Sequence, residues 1–378
     1  MKILIIMPGF FPGKKYGGPP VSINNFCSLM QDHDCFIVTR NHDFGDSVPY
    51  NSVKDGWNVR SNAKVMYLSD SKFKASTFES VISEIKPDVI YLQSLFSVSS
   101  VLPPLFLARK YCIPVILAPR GELCKGAFKK KYKKIPYIWF LRMFGLLKNV
   151  LIQSTSDEES LATIKYLNID ESRIKLLPNI PSIPPEEPKH ELKEPNHLRL
   201  LFLSRIVRKK NLHSAIMCLK GVEGNVVFDI YGPREDSQYW EYCQNLIAEL
   251  PKNIQVNYCG LVSHEEVHKV FSAHDAFLFP TFSENYGHVI AEALFNNCIP
   301  IISDQTPWTD MNDFNAGWAI SLDCPERYTD AVNHLLAADD ITMDKYRDNI
   351  KNYIDSKMNI ESLRRSYSDF IDKGCTVK

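Results

Sequence analysis

Residues 276–296 read AFLFPTFSENYGHVIAEALFN, which is an apolar run, a polar loop and a segment with helical spacing. The apolar run ends at Pro280 and predicts a strand that is buried on both faces of a parallel sheet. The loop ends at Gly287, and the residues after it repeat apolar side chains with the period of a helix. A strand that leads through a loop into a helix is the repeating unit of parallel α/β proteins, so we expect that class.

The same alternation extends in both directions along the chain. Strands are predicted at 2–8, 35–39, 64–68, 88–92, 114–118, 198–204, 226–231, 254–259 and 299–303. Helices are predicted at 21–30, 78–85, 211–220, 239–250, 265–273 and 288–296, and a helical tail at 325–373. Strands that alternate with helices predict two Rossmann-like, doubly wound parallel-sheet domains.

A proline-rich segment separates the two series of strands. Six prolines fall between Leu177 and Arg199 among Glu and Lys residues, a composition that is typical of an interdomain linker. We place the first domain at 1–182, the linker at 183–197 and the second domain at 198–356. A C-terminal helix at about 357–378 is expected to pack back on the first domain. Two doubly wound domains that face each other across a cleft would hold a ligand at the carboxyl ends of both sheets.

The loop and helix at 280–292 carry the strongest candidate site. Glu284 lies in the loop, and Gly287 allows a backbone to approach a ligand closely. The amides around His288 and Val289 begin a helix and suit a phosphate. Glu292 lies one turn into that helix, where a carboxylate can accept from two ribose hydroxyls. From the spacing alone, two surface glutamates beside an ordinary strand–helix turn remain an equal alternative.

The segment resembles the glutamate-x7-glutamate signature of family 4 glycosyltransferases, in a Ser-Glu-x-Tyr-Gly-x-x-x-x-Glu-Ala frame. A second segment, FLSRIVRKKN at 202–211, is similar to the strand, Gly-Arg and Lys-Gly segment of that family. The loops at 231–233 and 260–262 match its small-residue loops, and residues 1–20 match its first strand and Gly-Gly loop. The resemblance therefore spans nearly the whole chain, with its motifs in the family's order.

This resemblance implies a GT-B fold and transfer of a hexose-type sugar, with retention of anomeric configuration, from a nucleoside-diphosphate sugar. It implies no metal and no other cofactor, because two cations, Arg205 and Lys210, neutralise the leaving diphosphate. Those two residues and Glu284 are the predicted catalytic set, and Glu292 is expected to bind the ribose. The predicted donor-binding residues are Gly17, Gly18, Arg205, Lys210, Gly260, Val262, Glu284, Asn285, Tyr286, Gly287, His288, Val289 and Glu292.

The sequence departs from the family pattern in a few positions. Ser204 and Asn211 stand where glycine is common, and so does the pair at 296–297. In the first domain, Arg120 and Glu122 follow a strand and are expected in the cleft, near the acceptor, where many members have a histidine. Arg120 is interpreted as a substitute for that histidine or as a contact to an acceptor phosphate. A structural Arg–Glu pair is the alternative.

Net charge hides a marked asymmetry. Residues 1–180 hold 24 Lys and Arg against 15 Asp and Glu, while the remainder holds 20 against 29. Basic residues crowd before the apolar stretch 135–147 and predict contact with an anionic membrane surface; they are Lys129, Lys130, Lys131, Lys133 and Lys134. A solvated basic loop followed by a core helix is the alternative. Nucleic acid is not expected, because no recognised nucleic-acid-binding fold is evident.

Composition fits a cytoplasmic enzyme that is peripheral on the plasma membrane. No secretory signal and no stretch of transmembrane length are evident, and the ten cysteines never form a C-x-x-C pair. The expected acceptor is a saccharide or a polyprenyl-linked saccharide in the assembly of O-antigen, capsule or exopolysaccharide. Two alternatives stay open: a GT-B-related nucleotide-sugar epimerase and a non-catalytic donor-binding subunit.

Two apparent metal motifs are not expected to bind metal. Residues 264–268 fit the H-E-x-x-H zinc pattern, but no third ligand follows at a useful spacing. Asp32-His-Asp34 fits a D-x-D motif, but it lies between a helix and the next strand, at the amino edge of the sheet, and is predicted to be a turn.

Overall fold

The computed structural model describes residues 1–60, 62–125, 128, 131–184, 186–263, 266–284 and 286–376, with only the backbone at positions 131 and 376. The chain divides into two compact units. The first consists of Met1–Ile180 together with Ile360–Lys378, and the second of Pro181–Asn359. Each unit contains a largely parallel sheet with helices between its strands, which confirms the predicted α/β class.

The first unit holds a sheet in the order β3-β4-β2-β1-β5-β6-β7-β8. Its strands are β1 (Lys2–Ile6), β2 (Asp34–Arg40), β3 (Trp57–Arg60), β4 (Ala63–Leu68), β5 (Val89–Gln93), β6 (Val115–Ala118), β7 (Val150–Ser154) and β8 (Ile174–Leu176). Its first helices are α1 (Gly18–Leu29), α2 (Ala75–Ile85), α3 (Val98–Tyr111), α4 (Lys131–Met143) and α5 (Asp157–Leu167). The β3 strand pairs antiparallel with β4, and the other neighbours are parallel.

The second unit holds a parallel sheet in the order β11-β10-β9-β12-β13-β14. Its strands are β9 (His197–Leu203), β10 (Asn225–Tyr231), β11 (Ile254–Gly260), β12 (Ala276–Phe279), β13 (Ile299–Ser303) and β14 (Trp318–Ile320). Its helices are α6 (Leu212–Cys218), α7 (Ser237–Ala248), α8 (Val267–Ser272), α9 (His288–Phe295), α10 (Glu326–Ala337) and α11 (Asp340–Lys357). The last helix, α12 (Ile360–Thr376), belongs to the first unit.

Alternate residues of β1 enter two different cores. Ile3 and Ile5 pack in one cluster and Leu4 and Ile6 in the other, one on each face of the sheet. A strand that is covered on both faces needs apolar residues at every position, which explains the uninterrupted apolar run. Helix α12 contributes Leu363, Tyr367, Phe370 and Ile371 to the first of these clusters, so the C-terminal helix completes the core of the N-terminal unit.

Some strands lack the apolar run by which the other strands were predicted. The β3 segment Trp-Asn-Val-Arg lies at the sheet edge, where one side of the strand has no neighbour, and it lacks the apolar run of a buried strand. The β14 strand has only three residues. Apolar periodicity identifies strands that are buried on both faces, and short or edge strands need not show it.

Each sheet has a point where the order of its strands reverses. In the second unit the chain proceeds from β9 outward to β10 and β11 and then returns to place β12 on the other side of β9. In the first unit the corresponding neighbours are β1 and β5. Ligands of doubly wound proteins bind beside the carboxyl ends of strands at such points, because the loops diverge there and leave a crevice.

Candidate functional site

Lys210 and Glu284 form an ion pair where the strand order of the second sheet reverses. Lys210 follows β9 and Glu284 follows β12, and these neighbouring strands are parallel, so both loops leave the same edge of the sheet. Only 12% of each side chain is exposed. The ammonium also lies 5.4 Å from the centre of the Phe279 ring, which excludes water on that side. Two residues that lie 74 positions apart in sequence are thereby brought together.

The surroundings of this pair favour a further anion. Burial lowers the pKa of Lys210, and the Glu284 carboxylate opposes that shift. The Thr281 hydroxyl donates to the same carboxylate over 3.2 Å, so Glu284 is held from a second side. A partly buried cation interacts with an anion more strongly than it does in water. A phosphate that reached Lys210 would therefore compete with Glu284 for the ammonium.

Asn211 fixes the backbone beside the pair. It has left-handed dihedral angles, with φ of 58°, which asparagine tolerates better than most residues. Its side-chain amide donates to the Pro280 carbonyl over 2.7 Å, and the Ser214 hydroxyl donates to its side-chain oxygen over 2.8 Å. Asn211 thus adopts a backbone conformation that glycine also favours, and its side chain adds a hydrogen bond between the loops after β9 and β12.

Arg205, at the end of β9, is exposed and pairs with Glu235 over 3.1 Å. Glu235 lies in the loop after β10. This partner was not predicted from the sequence, because no motif includes it and the two residues lie 30 positions apart. The pair orients the guanidinium while leaving 44% of the arginine side chain accessible to a ligand.

The α9 helix begins at a glycine that cannot readily be replaced. Gly287 precedes the helix with φ of 76°, and a Cβ atom there would lie 2.9 Å from Cδ1 of Ile290. His288 and Val289 follow in the first turn, where backbone amides have no partner within the helix. Their placement agrees with a phosphate at the helix N-terminus. The predicted contact Asn285 lies outside the described residues.

Glu292 is a buried carboxyl on α9. Burial raises its pKa to about 8, and no side chain in the described ranges donates a hydrogen bond to it. A buried carboxyl group without donors costs free energy that a ligand with hydroxyl groups can recover. This arrangement is consistent with the predicted role of Glu292 in binding ribose hydroxyls.

Tyr286 is a packing residue. Its ring contacts His288 and Trp308 edge to face, at 4.8 and 5.5 Å between ring centres. The Trp308 indole also donates to the Tyr286 carbonyl over 2.5 Å. Burial raises the pKa of the Tyr286 phenol, and the nearby Glu292 carboxylate raises it further. The ring is partly buried and its phenol oxygen has no hydrogen-bond partner among the described residues, so the donor contact expected of Tyr286 stays a prediction.

Two glycines after β10 and β11 have different roles. Gly232 has φ of 139°, and a Cβ atom there would lie 1.8 Å from the Ser204 carbonyl oxygen, so only glycine fits. Gly260 has φ of 79° and open space where a Cβ would stand, which permits a close approach by a ligand. The predicted contact Val262 is half-buried against the core of the second unit.

The Gly-Gly loop of the first unit precedes α1. Gly17 has φ of 74°, and a Cβ built on it meets nothing within 4 Å. The helix begins at Gly18, and two prolines follow in its first turn, where their missing amide protons cost nothing. The amino end of α1 is thus bounded by backbone without side chains, as expected of a loop that faces a ligand.

Arg120 and Glu122 serve different partners. Arg120, with φ of 57°, donates to Gln93 over 2.8 Å, to Asn179 and to Tyr91, which are all neutral. Glu122 accepts from the amides of Leu95 and Phe96 over 2.6 and 3.0 Å and from the Ser94 hydroxyl over 2.7 Å. Glu122 thus holds the loop after β5, and among the described ion pairs none joins it to Arg120.

A cavity of about 760 Å³ adjoins Arg120 within the first unit. It is lined by loops that follow β1, β2, β5 and β6 and includes Tyr16, His42, Phe96 and Ser97. Another wall residue, Arg40, is neutralised by Asp70 over 2.7 Å. Because Arg120 has only neutral partners in the described structure, it is the cation best placed to attract an anion into this cavity.

The predicted basic surface needs correction at Lys134. Its ammonium lies 4.3 Å from the centre of the Phe96 ring and donates to the Glu122 carbonyl over 3.3 Å, so it points inward. Burial lowers the pKa of Lys134. Lys133 is exposed. Lys129 and Lys130 lie outside the described residues, as does the side chain of Lys131. Within the described ranges no helix is both long enough and apolar enough to cross a membrane.

The two motifs that were set aside contain ordinary contacts. The Asn296 side-chain amide donates to Nδ1 of His268 over 3.0 Å, while positions 264 and 265 are outside the described ranges. Asp32 lies in the turn before β2 and pairs with Arg364 of α12, which ties the C-terminal helix to the first unit.

Comparison with known proteins identifies the second unit. Residues 184–356 match the family model described as glycosyl transferases group 1. A curated relative, the GtfA subunit of the UDP-N-acetylglucosamine–peptide N-acetylglucosaminyltransferase of Streptococcus agalactiae, is 28% identical over 188 residues. That alignment covers 46% of this chain and 34% of the relative, so it spans about a third of the relative's length.

Solved structures share the fold over the whole chain. HepE of Anabaena, in complex with UDP and glucose, superposes with a TM-score of 0.73 at 13% identity and covers 99% of this chain and 100% of its own. WaaG, a glycosyltransferase involved in lipopolysaccharide biosynthesis, gives 0.64 at 14% identity and covers 98% and 99% of the two chains. At these identities the likeness shows the fold, which is that of GT-B proteins.

Proposed function

We propose that this chain, which carries a glycosyltransferase group 1 domain at residues 184–356, is a retaining glycosyltransferase that uses a nucleoside-diphosphate sugar. The observation that carries the proposal is the largely buried Lys210–Glu284 pair, placed at the strand reversal beside the first turn of α9. A cation, a helix N-terminus and a carboxylate at one edge of a sheet suit a diphosphate that is joined to a sugar.

Each residue has a distinct role in this proposal. Lys210, Arg205 and the first amides of α9 hold the diphosphate. Glu292 accepts from the two ribose hydroxyls, for which its buried carboxyl has no competing donor among the described side chains. Glu284, released from Lys210 when the diphosphate binds, accepts from hydroxyls of the sugar. Uridine is the favoured base, because HepE was solved with UDP and the GtfA relative is named for a UDP-sugar.

Transfer proceeds on one face of the sugar. The acceptor oxygen bonds to the anomeric carbon while the bond from that carbon to the diphosphate breaks, and its electron pair stays on the phosphate oxygen. The acceptor proton passes to that same oxygen, so no separate base is required. Lys210 and Arg205 stabilise the charge that develops on the diphosphate, which is the contribution a metal ion makes in other transferases.

The acceptor is proposed to be a saccharide, or a lipid-linked saccharide at a membrane surface, in the assembly of a cell-surface polysaccharide. The cavity beside Arg120 supports an anionic or strongly polar acceptor, since the guanidinium there has neutral partners in the described structure. The basic first half of the chain supports an anionic membrane at the cytoplasmic face.

The test compares Lys210→Ala with Lys209→Ala in a purified transfer assay. Lys209 is the exposed neighbour in the same loop and serves as the matched control. Loss of a charged contact to the leaving group is expected to lower kcat by roughly 10²- to 10³-fold, while Lys209→Ala stays within a few-fold of the parent. UDP-, GDP- and ADP-sugars are first ranked by the thermal shift that each produces.

The same assay separates the alternatives. Incubation of the donor without acceptor would yield an epimeric sugar nucleotide if the chain were an epimerase, and the transferase assignment would then be wrong. A non-catalytic subunit would bind the donor but transfer nothing, and Lys210→Ala would leave any product from a partner enzyme unchanged.

A further inference from the structure

Helix α4 is apolar on its outer face as well as on its inner face. Ile138 and Leu141 are buried in the core of the first unit. The opposite face exposes large apolar side chains at 62% for Trp139, 54% for Met143 and 48% for Ile135. These residues recur every four positions, so they form one stripe along the helix, and Tyr132, exposed at 70%, extends it by a turn. We call Tyr132, Ile135, Trp139 and Met143 the α4 stripe.

Cations border the α4 stripe. Lys133 and Arg142 are exposed on the same helix, and at 100° per residue they fall on opposite flanks of the stripe. Arg109, also exposed, donates to the Phe144 carbonyl over 2.9 Å and adds a cation at the end of the helix. In the sequence no Asp or Glu occurs between Glu122 and Asp157. An apolar stripe with cationic borders complements an anionic lipid surface, in which acyl chains lie beneath negative headgroups.

The α4 helix also adjoins the acceptor cavity of the first unit. Lys134, on the inner face, lies against Phe96 and donates to the Glu122 carbonyl. Phe96 and Glu122 both line the cavity of about 760 Å³. A surface that contacted the outer face of α4 would therefore lie one helix away from the cavity, which suits an acceptor whose lipid part remains in the membrane.

We propose that the α4 stripe docks this protein on an anionic bilayer, with the helix lying in the plane of the headgroups. This inference deepens the proposed lipid-linked acceptor by naming the surface that reaches the lipid. Trp139 and Tyr132 occupy the interface, where amphipathic aromatic rings are favoured. Ile135 and Met143 enter the acyl boundary, and Lys133 and Arg142 contact the headgroups.

The first test is sedimentation of the full chain with vesicles of phosphatidylcholine alone or with about a third phosphatidylglycerol. We expect binding to the anionic vesicles that weakens with salt and a blue shift of tryptophan emission as Trp139 leaves water. The triple variant Ile135→Ser/Trp139→Ser/Met143→Ser should bind at least about tenfold more weakly. Removing the charge of either Lys133 or Arg142 should weaken binding to the anionic vesicles roughly fivefold.

Matched controls are Leu161→Ser on α5 and Ile341→Ser on α11, which are exposed at 68% and 80% and lie outside the stripe. They should bind vesicles as the parent does. Failure of the parent to bind anionic vesicles, or equal binding by the triple variant, would overturn the proposal. A parent dimer that the triple variant dissociates, without vesicle binding, would assign the stripe to a second copy of the chain and would also overturn it.

UDP affinity, measured in parallel, keeps this inference separate from the proposed function. The triple variant should bind UDP with unchanged affinity, because no residue of the stripe belongs to the proposed donor site. The stripe lies in the first unit, so a thermal unfolding curve that matches the parent's shows that this unit is folded. Vesicle binding by a parent that binds no nucleotide would contradict the proposed function and leave the docking surface standing. Nucleotide binding without vesicle binding would contradict the docking surface and leave the proposed function standing.

Discussion

Replacing Glu292 with glutamine tests the buried carboxyl on which the proposed nucleotide site depends. The substitution keeps the shape of the side chain and removes its titration. In the folded protein burial raises the pKa of Glu292 from 4.5 to about 8. Below the lower value the carboxyl is protonated in both the folded and the unfolded chain, and stability is unaffected. Between the two values the unfolded chain has lost a proton that the folded chain retains, so stability falls as the pH rises.

The size of the effect follows from linkage. The cost is about 1.4 kcal/mol for each pH unit between the two pKa values, or at most about 3 kcal/mol at neutral pH. Glutamine has no such cost, so Glu292→Gln should gain stability relative to the parent as the pH is raised. For a unit of this size, 1 kcal/mol moves Tm by about 2–4 °C. The Tm difference should therefore grow by about 5–10 °C from about pH 5.5 to 7.5.

The assay is thermal unfolding of the parent, Glu292→Gln and Glu241→Gln at several pH values. Glu241 lies exposed on α7, so its variant should follow the parent at every pH. A Tm difference between Glu292→Gln and the parent that is constant with pH would refute the argument, because it would mean that Glu292 titrates as in the unfolded chain.

The same variant reports on ribose binding. Hydroxyl groups that donate to Glu292 favour its ionised form, so binding of a nucleotide-sugar should release a proton below about pH 8. Affinity should then rise with pH from about 6 to 8 in the parent and be weaker and independent of pH in Glu292→Gln. Calorimetry in buffers of different ionisation enthalpy measures the released proton. Equal proton release by both proteins would remove Glu292 from the nucleotide site.

Substitutions at two further positions test the backbone around the proposed donor site. Gly232→Ala would place a Cβ atom 1.8 Å from the Ser204 carbonyl oxygen, and it should destabilise the second unit by about 2 kcal/mol or more, as measured by urea unfolding. Asn211→Gly keeps the left-handed backbone and loses the 2.7 Å bond to Pro280 and the 2.8 Å bond from Ser214, which should cost about 1–2 kcal/mol. Asn211→Ala loses the same side-chain hydrogen bonds and also places alanine at left-handed backbone angles, so it should lower the free energy of unfolding more than Asn211→Gly does. Equal urea midpoints for the two variants would contradict the role assigned to the backbone angle.

The sequence predicts the centre of the fold and of the candidate site for one physical reason. A parallel strand that is covered on both faces is apolar throughout its buried part, as at residues 3–6 and Ala276–Phe279, and such runs are easy to recognise. Lys210 and Glu284 were placed in one site by the family resemblance, and the structure brings them together as an ion pair. The reason is that the loops after neighbouring parallel strands leave the same edge of a sheet, and the neighbourhood of β9 and β12 is seen only in the structure.

Contacts that depend on side-chain direction were harder to predict. Glu235 lies in a loop that carries no motif, and it pairs with Arg205. Glu122 binds backbone amides of the loop after β5, whereas the alternative drawn from the sequence was a pair with an arginine. Both are contacts between two loops, where neither the helical nor the strand periodicity of the sequence predicts which side chains meet. The asparagine at 211 was visible only as a departure from a pattern, and its left-handed angles give the reason.

Helix α4 is where the sequence is most ambiguous and the structure most informative. Its segment is apolar around most of its circumference, so its periodicity cannot distinguish a core face from an exposed one. Packing resolves this, because Ile138 and Leu141 are buried while Trp139 and Met143 face outward. The lysines that suggested membrane contact also differ in the direction of their side chains, and Lys134 points inward. The apolar stripe, more than the count of basic residues, is therefore the reason to expect a bilayer, and loss of Trp139 and its neighbours should weaken vesicle binding more than loss of any single cation.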